Sequence, residues 1–60
     1  MAGKILVVDD DADIREAMTL VLESNDYQVV TAQDGIEGLA SLKAEKPDLM
    51  ILDLLMPKMD

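Results

Sequence analysis

Ile5-Leu6-Val7-Val8-Asp9-Asp10-Asp11 decides the fold: four apolar residues with no polar interruption run straight into three acids. A strand with one wet face alternates apolar and polar side chains. An unbroken apolar run of this length reads instead as a strand buried on both faces, the habit of parallel sheets covered by helices. Leu49-Met50-Ile51-Leu52-Asp53 repeats the arrangement. In open parallel sheets ligands gather at the carboxyl ends of the strands. Asp9, Asp10 and Asp53 therefore stand where chemistry is expected, although they are far apart in the chain, and acids gathered there make a site for a hard cation.

Between these two runs the chain reads helix, strand, helix. Asp13-Ile14-Arg15-Glu16 has the form of a capping box, and Ile14, Ala17, Met18, Val21 and Leu22 fall on one helical face, so the first helix is expected to run to about Ser24. Asn25 and Asp26 break it, and Tyr27 to Ala32, centred on Val29-Val30, reads as a short strand. Asp34-Gly35-Ile36-Glu37 repeats the cap signature, with Gly35 as a helix-start residue and Gly38 as a small packing position. Ile36, Leu39, Ala40 and Leu42 supply the apolar stripe of the second helix, and Pro47 ends it before Asp48. A β-α-β-α-β run with short connections implies right-handed crossovers and parallel strands. With the third strand beside the first, the order is 2-1-3, one helix covers each face, and the three acids meet on adjacent strand ends.

Composition bounds what this architecture can do. The chain has 60 residues, no cysteine and no histidine, and a formal net charge of −8. A chain of this size is one domain, 1–60, and buries only about 60% of its unfolded surface, so it is marginal without a staple or a partner. No disulfide can supply one. The negative field opposes nucleic-acid phosphates and anionic membrane surfaces, and no apolar run approaches the roughly 18 residues of a membrane span. The expected location is cytoplasmic, with neither nucleic acid nor membrane as partner. Lacking His and Cys, the chain cannot build a Ser-His-Asp triad, a Cys-His pair or a typical zinc site.

Val7-Val8-Asp9-Asp10-Asp11, Asp34-Gly35 before the second helix, and Asp48-Leu49 leading to Asp53-Leu54-Leu55-Met56-Pro57 closely resemble the receiver domains of two-component response regulators, of the chemotaxis-regulator type. The resemblance spans the whole chain and corresponds to the N-terminal half of such a domain, a half flavodoxin-like fold. It implies that Asp53 is the phosphoacceptor, that Asp10 and the Leu55 backbone carbonyl are direct ligands of Mg²⁺ (or Mn²⁺), and that Asp9 takes part through a water. It also implies a histidine kinase or phosphotransfer protein as the phosphoryl source, within a phosphorelay, and a stoichiometric acceptor rather than an enzyme. Complete receivers continue through two more strand-helix units carrying a Ser or Thr and then a Lys that contact the phosphoryl group. This sequence stops at Lys58-Met59-Asp60, so the complete switch does not carry over, and Lys58 reads as a solvated loop cation.

Simpler readings compete at several positions. Asp9, Asp11 and Asp13 have the D-x-D-x-D spacing of a calcium loop, but the sixth position, which needs glycine, is Ile14, and the twelfth, which needs glutamate, is Leu20. Asp11 and Asp13 read more simply as helix-start acids favoured by the macrodipole. Gly35 and Gly38 make neither a phosphate loop nor a dinucleotide fingerprint.

Three functions follow as alternatives: a receiver-derived phosphoacceptor module, a self-associating half-domain scaffold without signalling output, and a passive divalent-cation binder. The order 2-1-3 leaves the third strand at an edge although it reads as apolar on both faces. An edge of that kind pairs with another chain. The expected form is therefore a homodimer through strand 49–53, antiparallel about a two-fold axis, with a joined sheet ordered 2-1-3-3′-1′-2′.

Overall fold

Apolar side chains at every position from 5 to 8 leave that segment no face to turn toward water, and the chain accordingly threads it through the middle of a sheet. The computed structural model describes residues 3–52. They form β1 (Lys4–Val8), α1 (Ala12–Glu23), β2 (Gln28–Ala32), α2 (Gly35–Glu45) and β3 (Leu49–Leu52). The three strands are parallel in the order β2-β1-β3. Lys4 stands opposite Gln28 and Val8 opposite Ala32 on one side, while Ile5 stands opposite Leu49 and Val8 opposite Leu52 on the other. The expected half flavodoxin-like fold and strand order are both found.

β1 carries almost all of the burial. Leu6 is 0% exposed, and Ile5, Val7 and Val8 are buried with it. Full burial of one such side chain is worth about 1.5–3 kcal/mol. Leu6, Val8, Ala32 and the partly buried Val30 cluster on one face, and α2 sits on that face through Gly38, which lies against Val8. α1 lies on the other face, where Thr31 shares a small cleft with Ala12, Arg15 and Thr19. The alternation of side chains along a strand places even-numbered β1 residues under α2 and odd-numbered ones under α1.

Local signals start and stop both helices. Asp11, not Asp13, caps α1: its Oδ1 accepts the amides of Asp13 at 2.8 Å and Ile14 at 3.3 Å. The capping box read at Asp13–Glu16 is thus displaced by two residues, because the turn after β1 is tighter than the pattern suggests and the helix begins at Ala12. Asp34 caps α2 by accepting from the Glu37 amide at 2.8 Å, and Glu37 Oε1 reaches back to the Gln33 amide, also at 2.8 Å. This is a capping box shifted by one residue, since Glu37 reaches the amide before the cap, not that of Asp34 itself. α2 closes on Lys46 in the left-handed region, with φ 49°, just before Pro47. Asp48 is then clipped to β1: its amide donates to the Lys4 carbonyl at 2.8 Å and its Oδ2 accepts the Lys4 amide at 2.9 Å.

The expected apolar stripes are rotated relative to the sheet. In α1 the residues turned inward are Arg15, Met18, Thr19 and Leu22, while Ile14 and Val21 are exposed. In α2 Gly38 is buried, yet Ile36 is 84% exposed and Leu39 is exposed too. The cause is coverage. Both helices rest on β1 and β2, and no Cα of either comes within 8 Å of β3 among the described residues. The apolar flank of α2 therefore borders an open groove of about 630 Å³, lined by Val8, Leu39, Leu42, Met50 and Leu52.

Candidate functional site

β1 ends at Val8, and the acids that follow are fixed in different ways. Asp9 is 4% exposed. Its amide donates to the Ala32 carbonyl at 3.1 Å, tying the turn to the end of β2, and its Oδ1 accepts the Asp11 amide at 2.9 Å. Its carbonyl oxygen accepts a bond from Arg15 Nη1 at 2.7 Å. Asp10, between two anchored neighbours, is exposed. Asp11 turns its side chain to the helix it caps. The buried start of the turn thus holds the geometry, and the middle residue is exposed.

This arrangement suits a hard cation. Mg²⁺ prefers one or two carboxylates and keeps several waters, and an exposed Asp10 beside a buried, anchored Asp9 offers carboxylates of that kind. Asp9 Oδ1 and Asp11 Oδ1 are engaged by backbone amides, so a calcium-loop reading of Asp9, Asp11 and Asp13 has no support in the geometry. Among the described residues no group of three His, Cys, Asp or Glu side chains comes together. The third acid of the expected set, Asp53, lies outside the described residues, as do Leu55 and Lys58. The last described rung between β1 and β3 pairs Val8 with Leu52, and each of those residues is followed in the chain by an aspartate.

Residues 5–60 match the response regulator receiver domain. The chain belongs to that family. As a receiver domain it is 43% identical over 60 residues to the response regulator MprA of Mycobacterium tuberculosis (strain H37Rv), covering 100% of this chain and 26% of that protein. It is 48% identical over 60 residues to the alkaline phosphatase synthesis transcriptional regulatory protein PhoP of Bacillus subtilis (strain 168), covering 25% of it. Among solved structures, the N-terminal domain of a response regulator receiver protein from Methanoculleus marisnigri JR1 superposes with a TM-score of 0.88 at 42% identity, covering 100% of this chain and 49% of that one. The chain spans about a quarter of the length of the curated relatives it matches.

Arg15 is the contributor to this receiver site that sequence reading missed. Its spacing carried a signal, because a long helical side chain leans back toward the helix N-terminus. An arginine one turn into α1 is therefore placed to reach the turn that precedes the helix. No described helix is long and apolar enough to cross a membrane.

Proposed function

We propose that this receiver sequence is the phosphoacceptor part of a two-component response regulator, with Asp53 accepting a phosphoryl group from a histidine kinase or phosphotransfer protein. The observation that carries the proposal is the anchored Asp9-Asp10 turn at the carboxyl end of β1, on the strand whose last rung pairs with the residue before Asp53. Attack by a carboxylate needs a nucleophile held in line and positive charge on the transferring oxygens. In this reading Asp10, Asp53 and the Leu55 carbonyl hold Mg²⁺ or Mn²⁺, and Asp9 contributes through a water. The cation, when bound, neutralises charge on the phosphoryl oxygens. An Asp53 carboxylate oxygen forms the bond to phosphorus as the bond to the donor breaks, its electron pair leaving with the imidazole nitrogen of a phosphohistidine or, for acetyl phosphate, with the carboxylate oxygen of acetate. The chain is consumed and regenerated as an acceptor, and it performs no catalytic turnover on a further substrate.

Intact-mass spectrometry after incubation with acetyl phosphate and Mg²⁺ tests this. One phosphoryl adduct, absent in Asp53→Asn, is expected. An adduct that survives that substitution would remove Asp53 from the role.

A second reading is favoured by one feature of the sheet. β3 is an edge among the described residues, and Leu49, Met50 and Leu52 on it are exposed, Leu52 by 47%. Self-association through strand 49–53 into a two-fold dimer would satisfy that edge, with or without signalling output.

A further inference from the structure

Asp10 is set by the two peptide planes that flank it, and both are pinned. The plane joining Asp9 to Asp10 carries the Asp9 carbonyl, which takes the bond from Arg15 Nη1 at 2.7 Å. The plane joining Asp10 to Asp11 carries the Asp11 amide, which donates to Asp9 Oδ1 at 2.9 Å. Because each peptide unit is rigid, holding one oxygen of the first plane and one nitrogen of the second leaves the Asp10 backbone little freedom. Asp10 is exposed and draws no such support from packing.

The second plane is held from within the turn. Only the first is held from another element. Arg15 is half-buried on the inward side of α1, beside Thr19 and Thr31, so its guanidinium is backed by packing and not free to wander. Of the cations among the described residues, Lys4 stands at the start of β1, bonded to Glu45, and Lys43 and Lys46 stand at the end of α2. These lie at the opposite end of the sheet. Arg15 is the one placed at the acidic end.

We infer that Arg15 is a positioning residue for the acidic pair: through the Asp9 carbonyl it sets the direction in which Asp10 presents its carboxylate. The inference rests on the reading of Asp10 as a cation ligand, and it has a sign that separates it from charge alone. A guanidinium near a bound cation repels it, so an Arg15 acting only as a charge would, when removed, let Mg²⁺ bind more tightly. An Arg15 that holds the peptide plane does the reverse, because groups that orient metal ligands typically lose about tenfold or more in affinity when removed.

Calorimetric titration of the full chain with Mg²⁺ alone, for the parent, Arg15→Gln, Arg15→Lys and Asp10→Asn, decides between them. We expect Arg15→Gln to weaken Mg²⁺ binding by about tenfold, Arg15→Lys to recover part of the loss because an ammonium can still donate to the carbonyl, and Asp10→Asn to abolish binding. In the metal-free chain, hydrogen exchange at the Asp11 amide should quicken in Arg15→Gln while exchange at the Leu6 amide, deep in β1, stays as in the parent. Mg²⁺ bound by Arg15→Gln as tightly as by the parent, or more tightly, overturns the inference. Binding untouched by Asp10→Asn overturns the cation reading itself, and unchanged exchange at Asp11 would then overturn the positioning role on its own. Should Arg15→Gln fail to fold, Arg15→Met, which keeps a long side chain but has no hydrogen to donate, carries the test, and parental affinity in that variant overturns the inference.

Discussion

Gly38 lies against Val8 so closely that a Cβ on it would stand 3.1 Å from Val8 Cγ2, which makes this contact the seat of α2 on β1. Val8 is buried and β-branched, with little rotamer freedom to move aside. Alanine at position 38 gains about 1 kcal/mol of helix propensity and gives part of it back to the tight contact. Because the groove beside α2 is open, the helix can ride up by the few tenths of an ångström required, and Gly38→Ala should stay within about 1 kcal/mol of the parent. Gly38→Leu overpacks the seat and should cost about 1–3 kcal/mol. Urea unfolding checks both, and a leucine variant as stable as the parent would mean that α2 is not seated there.

The cap of α1 supplies a second expectation. Asp11 accepts two helix amides, and Asp11→Ala should cost about 1 kcal/mol. Asp13→Ala removes only a first-turn acid and should cost less, about 0.3–1 kcal/mol. Unfolding midpoints in the reverse order would restore Asp13 as the cap.

Cation binding should appear as stability. A cation that binds only the folded chain raises its stability by about 1.4 kcal/mol at ten times the dissociation constant, so the melting temperature should climb with Mg²⁺ and the climb should vanish in Asp10→Asn. A melt indifferent to Mg²⁺ up to high millimolar concentrations counts against the site.

How far the sequence could be read depended on which force did the specifying. Residues 5–8 and 49–52 announce parallel strands because nothing but burial on two faces suits them, and the handedness of short crossovers then leaves the order 2-1-3. The caps at Asp11 and Asp34 are local chemistry, legible to within two residues. The inward faces of the helices were not legible. Periodicity reports an apolar arc at Ile14, Val21, Ile36 and Leu39, but it does not say which part of that arc another element will cover, and here the covered side of α1 includes Arg15 and Thr19. The bond from Arg15 to the Asp9 carbonyl escaped for the same reason, since a main-chain acceptor leaves no mark on residue identity.

The edge at β3 predicts association. Sedimentation at micromolar concentration should give a dimer, and Ile51→Lys should dissociate and unfold the chain together, because the strand proposed to bind a partner also pairs with β1. A folded, cooperatively melting monomer would sink the dimer.

The clip between Lys4 and Asp48 joins residues 44 apart, whereas β1 meets β2 across the shorter crossover that brings Lys4 opposite Gln28. Closing a loop of roughly double the length costs only about 0.6 kcal/mol more, yet among the described residues no helix rests on β3 to add to what its ladder to β1 returns. The sheet therefore has a natural order of assembly. β3 is expected to dock last and leave first, held by its ladder to one strand and the clasp at its start. The strand that leads into Asp53 is thus the most readily detached part of the described chain, so that in slow hydrogen exchange its amides should open well before those of β1.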